Sequence, residues 1–169
     1  QKYVSEMAEP AQVFNRLNRD FCKVLQMGEF FTAFYAVFDR RSGKLTYANA
    51  AHPRPVLLDY ETNTLQELDT NGFLLGVMSD GISYEQKETV LNTRSRLLIY
   101  TDGVNESVNA QEEQFGSERI KTCLLKHAQE APRSYLRHFK KELIRFSGTK
   151  NFDDDVSIIV MDVKNKGSR

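Results

Sequence analysis

The 169-residue sequence predicts an α+β fold in which antiparallel strands are flanked by amphipathic helices. Three observations carry that expectation. Short runs rich in apolar, β-branched and aromatic residues recur along the chain, the turns between them are mostly short and polar or carry glycine, and three longer segments repeat apolar residues every three or four positions. Short links suit antiparallel pairing, because a parallel neighbour needs a crossover of roughly a dozen residues or more.

The first helix is written in Pro10 to Gln26. Val13, Phe14, Leu17, Phe21, Val24 and Leu25 fall at helical spacing, and Pro10 suits a first turn, where its missing N–H leaves no hydrogen bond unmade. Phe30 to Phe38, "FFTAFYAVF", is apolar on both alternating faces and predicts a strand covered on both sides. Gly43 in "DRRSGK" supplies the turn that follows. Further strands are predicted at Leu45 to Ala48, Val56 to Tyr60, Leu65 to Leu68, Tyr84 to Val90, Arg96 to Thr101 and Val156 to Val163. Before the last of these, Ser117 is placed to cap a helix running to about Glu130, with Ile120, Cys123, Leu124 and His127 on one stripe. Pro132 opens another, in which Leu136, Phe139, Leu143 and Phe146 repeat until Ser147 and Gly148 end the pattern. No internal repeat or boundary breaks this succession, so residues 1–169 read as a single domain with a solvated tail over 164–169.

Charge and composition exclude several functions. Lys+Arg and Asp+Glu both number 23, so no net field draws the chain to nucleic acid or to an anionic membrane. The apolar runs fall short of the roughly 20 residues of a membrane-spanning helix, and no signal-peptide pattern opens the chain. The expectation is a cytoplasmic protein without membrane insertion. Cys22 and Cys123 are far apart and lack metal-ligand spacing, so they read as reduced core thiols of an intracellular setting. His127 and His138 read as helix-surface residues without metal-ligand spacing. His52 precedes Pro53 in a loop, where it either shapes the turn or faces a site and assists proton transfer.

The chemistry is suggested by two acidic strand ends. "LLIYTDGVNE" runs from a buried-looking strand into Asp102, and "NFDDDVSIIVMDV" places Asp153, Asp154 and Asp155 just before another strand. If the two strands are antiparallel neighbours, both acidic ends emerge together. Carboxylates gathered in that way repel one another unless a cation joins them, and all-oxygen ligands select Mg²⁺ or Mn²⁺ first and Ca²⁺ second. Taken alone, Asp-Gly after a strand is also a common turn signal, and an acidic run beside a strand is also a common solvated flank.

Four segments, "YANAAHPRPVLL" (47–58), "LLIYTDGVNES" (97–107), "FGSERI" (115–120) and "DDVSIIV" (154–160), occur in order and together resemble the metal-dependent PPM-type protein serine/threonine phosphatases, in the bacterial branch of sporulation stage II protein E and the sigma-factor regulation phosphatases. The resemblance covers nearly the whole chain. It implies an antiparallel β-sandwich flanked by helices, with two Mn²⁺ or Mg²⁺ ions at one edge. It makes Asp102 and Asp154 the metal-ligating catalytic residues, Asp155 a supporting group and Asp153 a solvated neighbour. It implies that a water bridging the two ions attacks phosphoserine or phosphothreonine, so no protein nucleophile is needed. It further implies a regulatory phosphoprotein substrate, an anti-anti-sigma factor, an attached sensor or receiver domain, and allows a homodimer.

Departures accompany the matches. The family carries a D-x-x-G-H-G segment before its first helix, whose aspartate bridges both ions, and "QKYVSEMAE" has neither aspartate nor glycine. The sequence is therefore expected to be a piece of a longer chain that lacks the N-terminal metal-ligand strand, and to be weakly active or inactive by itself. The family glycine before the histidine is Ala51, and the proline common before the Leu-Gly pair is Leu74 or Leu75. Two other readings stay open. One is a non-catalytic interaction module with the same fold. The other is a phosphatase with an aspartyl nucleophile, which lacks its usual second carboxylate because Val104 stands two residues after Asp102.

Overall fold

The computed structural model describes residues 7–26 and 28–164. They fall into two compact units that alternate along the chain: residues up to Arg54 with Leu68–Leu91, and Pro55–Glu67 with the residues from Asn92 onward. Each unit is an antiparallel sheet with helical cover, the α+β class expected from the sequence.

In the first unit, helix α1 (Pro10–Val24) accompanies a three-stranded sheet of β1 (Ala33–Asp39), β2 (Lys44–Ala50) and β5 (Lys87–Val90), in the order β1-β2-β5. Pro10 opens the helix as the sequence predicts. Phe14 is buried with Ala48, Ala50, Leu75 and Tyr84, and its ring meets Tyr84 edge-on at 5.6 Å. Buried Asn18 ties the helix to the loop beyond: its amide nitrogen donates to the Met78 carbonyl at 2.8 Å and its oxygen accepts from Gly76 N at 2.9 Å. The β1–β2 turn is closed by Asp39, which accepts from Arg41 N and Ser42 Oγ, with Gly43 at φ +73°.

Two predicted strands are shorter than their patterns suggested. Phe30 and Phe31 stay exposed ahead of β1, and Ala33–Phe38 are only half-buried, because β1 is an edge strand and Phe31 instead bridges Leu75. Tyr84 to Gln86 do not join β5. Asn15 Oδ1 accepts from Tyr84 N, so α1 takes a backbone donor that a ladder would need, and Ala11 N of the same helix donates to the Gln86 side chain.

In the second unit, β3 (Val56–Asp59), β4 (Thr64–Glu67), β6 (Arg94–Tyr100) and β7 (Ile158–Lys164) form a sheet in the order β4-β3-β6-β7. A short helix α2 (Asp102–Asn105) follows β6, and the longer helices α3 (Gly116–Lys126) and α4 (Pro132–Ser147) cover the sheet. The core joins Val56, Leu58, Leu98 and Tyr100 to Ile120, Leu124, Tyr135, Phe139 and Leu143. Gly148 ends α4 at φ +71°, the left-handed stop its sequence predicts.

α3 is shorter than expected and starts differently. Gly116 rather than a Ser117 cap begins it, and it ends before His127 rather than near Glu130. Buried Arg96 accounts for the early end: its guanidinium donates to the carbonyls of His127 (3.4 Å) and Glu130 (2.5 Å), drawing the link out of helical continuation. Arg96 also forms a two-pronged pair with Asp162, Nε to Oδ1 at 2.7 Å and Nη2 to Oδ2 at 2.9 Å, and lies over the Tyr135 ring at 5.0 Å. Burial would lower the proton affinity of this guanidinium, and Asp162 more than reverses that. The tail expected over 164–169 lies outside the described residues beyond Lys164.

Candidate active site

The two acidic strand ends are neighbours. β6 and β7 pair antiparallel from Arg94 opposite Lys164 to Tyr100 opposite Ile158, and the ladder continues one step as Thr101 N donates to Ser157 O at 3.1 Å. Thr101 occupies the N-cap position of α2, yet its hydroxyl serves β7. It accepts from Ser157 N at 2.9 Å and donates to Asp155 O at 2.7 Å. Gly103 packs against the same peptide, so closely that a Cβ there would stand 2.7 Å from Asp155 O and 3.2 Å from Asp154 C. The sequence assigned Gly103 only a tight turn. The structure adds close backbone approach, which a side chain forbids.

Asp102 and Asp154 thus leave adjacent chain segments, each with its carboxylate held by the next amide. Gly103 N donates to Asp102 Oδ1 at 3.1 Å, and Asp155 N donates to Asp154 Oδ1 at 2.7 Å. Asp102 is half-buried, whereas Asp153, Asp154 and Asp155 are exposed. A cavity of about 160 Å³ opens here, lined by Gly103, Glu106, Ser107, Asn151, Asp153 and Asp154 among others. Glu106 was not singled out in the sequence, because nothing local distinguishes it from a solvated acid. Thr101 was equally silent, since its partners lie more than 50 positions away.

This donor set fits part of a hard-cation centre. All its side-chain groups are oxygen donors, exposed or half-buried, on adjoining segments that Thr101 and Gly103 lock together. It does not fill a coordination shell. No three carboxylates here come within 4.8 Å of one another among the described residues, where the one compact trio of metal-ligating side chains is His127, Glu130 and His138.

His52 belongs to the first unit. Its N–H donates to Asn49 Oδ1 at 2.8 Å, its carbonyl accepts from Asn49 Nδ2 at 3.0 Å, and its ring Nδ1 lies 3.4 Å from Thr32 Oγ1. Ala51 before it has φ +54°, the left-handed conformation that glycine adopts freely, so the loop keeps its path despite the alanine. Cys123 is a buried free thiol whose pKa burial pushes up to about 11, the setting of a core residue rather than a nucleophile.

Antiparallel sheets with helical cover, in this order of elements, are the fold of PP2C-type phosphatase domains. Residues 1–164 match the family described as Stage II sporulation protein E (SpoIIE), and the chain belongs to that family. It is 31% identical over 97 residues to phosphoserine phosphatase RsbU of Bacillus subtilis, covering 57% of this chain and 29% of that protein. The chain therefore spans less than a third of that relative's length. Among solved structures, the SiaA-PP2C domain of Pseudomonas aeruginosa superposes with a TM-score of 0.78 at 23% identity, over 92% of this chain and 61% of that one. The manganese-presoaked phosphatase domain of SpoIIE from Bacillus subtilis gives 0.64 at 12% identity, over 82% and 59%. At such identities the structures establish the fold. No helix among the described residues is long and apolar enough to cross a membrane.

Proposed function

We propose that this chain is the larger part of a divalent-metal-dependent phosphatase domain that removes phosphate from serine or threonine of a regulatory phosphoprotein of the anti-anti-sigma class. The observation that carries the reading is the junction itself, where Thr101 and Gly103 fasten the Asp102 end of β6 to the backbone of Asp155 and Ser157, next to Asp154. Asp102 and Asp154 hold Mn²⁺ or Mg²⁺, Asp155 supports the junction through its carbonyl, and Thr101 keeps the two ligand-bearing segments in register. The bound ions supply an acidified water and offset the charge of the phosphoryl oxygens. The likeness to a phosphoserine phosphatase and to a manganese-treated domain supports both substrate class and metal.

In the full-length protein, Asp102→Asn is expected to lower Mn²⁺-dependent hydrolysis of the phosphoprotein by about 100-fold or more, because it removes a ligand that no neighbour replaces. Asp153→Asn is expected to stay within about threefold of the parent rate. Equal losses from the two, measured as kcat/KM, would transfer the ligand role within the triplet. Because a hard divalent ion prefers six or more oxygens, these 169 residues on their own are expected to bind Mn²⁺ weakly and turn over p-nitrophenyl phosphate slowly.

The absence of a three-carboxylate cluster among the described residues favours one second reading, an interaction module with a phosphatase-like fold. Full-length protein that binds the phosphoprotein yet releases no phosphate at saturating Mn²⁺ would establish that reading.

A further inference from the structure

His127 follows α3 as its C-cap, Glu130 lies in the link to α4, and His138 stands in the second turn of α4. Their sequence spacing predicts no site, and His127 and His138 read there as surface residues. The structure corrects the surface reading for His127. The two imidazoles stack with centroids 4.9 Å apart, and His127 is largely buried. His127 Nδ1 lies 2.7 Å from Glu130 Oε1 and His138 Nδ1 lies 2.6 Å from Oε2, so both rings aim the same nitrogen at one carboxylate. One ligand atom from each of the three residues lies within 4.8 Å of the other two.

A second observation concerns the far side of the His127 ring. Nε2 is buried without a hydrogen-bond partner, and Glu142 Oε1 is 3.9 Å away, itself held by Lys126 Nζ at 2.5 Å. While Nδ1 donates to Glu130, a neutral His127 leaves Nε2 as a bare buried acceptor, an unfavourable arrangement. A cation on Nδ1 reverses the tautomer. Nε2 then carries the proton and faces Glu142, the carboxylate–histidine–metal arrangement that orients ligands in protein metal centres.

We propose that His127, Glu130 and His138 form a metal site separate from Asp102 and Asp154, which takes one borderline ion of the Zn²⁺ class and fastens the end of α3 to the start of α4. Two imidazoles and one carboxylate suit Zn²⁺ and are a poor set for Mg²⁺, so the two sites sort ions by chemistry. A fourth position is left for water, and His138, 40% exposed, gives the ion a route in.

The test is titration of the full-length protein with Co²⁺, a spectroscopic probe for tetrahedral zinc sites, followed by Zn²⁺ and calorimetry. The expected result is one equivalent of Co²⁺ with intense visible bands that Zn²⁺ bleaches, retained in an Asp102→Asn/Asp154→Asn variant. His138→Asn should weaken Zn²⁺ binding by about tenfold or more while far-UV circular dichroism stays unchanged, and Glu130→Gln serves as the second ligand variant should His138→Asn not fold. Acid should fade the bands, because protons compete for the same nitrogens. Absence of the bands at excess Co²⁺, unchanged affinity in a folded ligand variant, or loss of binding in the Asp102→Asn/Asp154→Asn variant would each overturn the proposal.

Discussion

The β6–β7 ladder carries charge at both ends and handles it in opposite ways. Around Arg96 and Asp162, directly opposite each other in register, unlike charges are buried and joined by two hydrogen bonds, with further bonds to two carbonyls. The other end of the ladder, at Tyr100 opposite Ile158, lies about 13 Å further along at ~3.3 Å per residue, and just past it the like charges at Asp102 and Asp154 are left exposed or half-buried, each satisfied among the described residues by a neighbouring amide. The first end closes its electrostatics within the protein and serves stability. The second leaves them open for a cation, so its carboxylates are held in place by backbone packing rather than by partners.

The contrast predicts a graded set of effects. Arg96→Met strands Asp162, which is only 12% exposed, and releases the carbonyls of His127 and Glu130. A loss of about 3–5 kcal/mol is expected, read as a fall in urea midpoint. Replacing both partners, Arg96→Met with Asp162→Leu, should recover much of it, and no recovery would mean that the carbonyl bonds matter more than the ion pair. Next comes Gly103→Ala, whose Cβ must displace the Asp155 carbonyl. It should cost about 1–3 kcal/mol and also weaken Mn²⁺ binding, whereas Arg96→Met with Asp162→Leu should leave Mn²⁺ affinity alone. If Gly103→Ala leaves affinity intact, the junction is not what positions the ligands.

The smallest effect is a pH dependence at Glu130. Its folded pKa, about 2, lies below its ordinary 4.5, so the carboxylate's contribution is fully present above about 4.5 and disappears as pH falls toward 2. Glu130→Gln should therefore flatten the stability profile between about pH 2 and 4.5. An equally steep fall in that window in the folded variant would contradict the assignment.

Much of the fold was legible because its signals are local. Pro10, Gly43 and Gly148 mark a helix start, a turn and a helix stop by conformations that each residue favours by itself. Strand ends were misjudged where a distant side chain took the backbone, as Asn15 takes Tyr84 N. In the acidic ends the residues alone permitted a plain turn, and only the family resemblance separated Asp102 and Asp154 from it. Arg96 illustrates the limit: in a strand it reads as any charged residue, and its burial depends on Asp162, 66 positions later. The histidine pair was invisible for the same reason, since their meeting depends on where α3 stops.

Because Leu68–Leu91 returns to the first unit between β4 and β6, the growing polypeptide must set the β3–β4 hairpin aside before its sheet partner exists. An isolated two-stranded hairpin is marginal in water, and at synthesis rates of ~5–20 residues per second the wait lasts about 2–7 s. During that interval Val56 and Leu58, later flanked by β6 and packed in one core with Ile120, Leu124 and Phe139 of the helices, are surfaces a chaperone can hold. The same interleaving means that a single proteolytic cut between Arg54 and Leu91 divides the sequence of at least one unit between two pieces, and any continuous peptide that holds a whole unit also carries residues of the other.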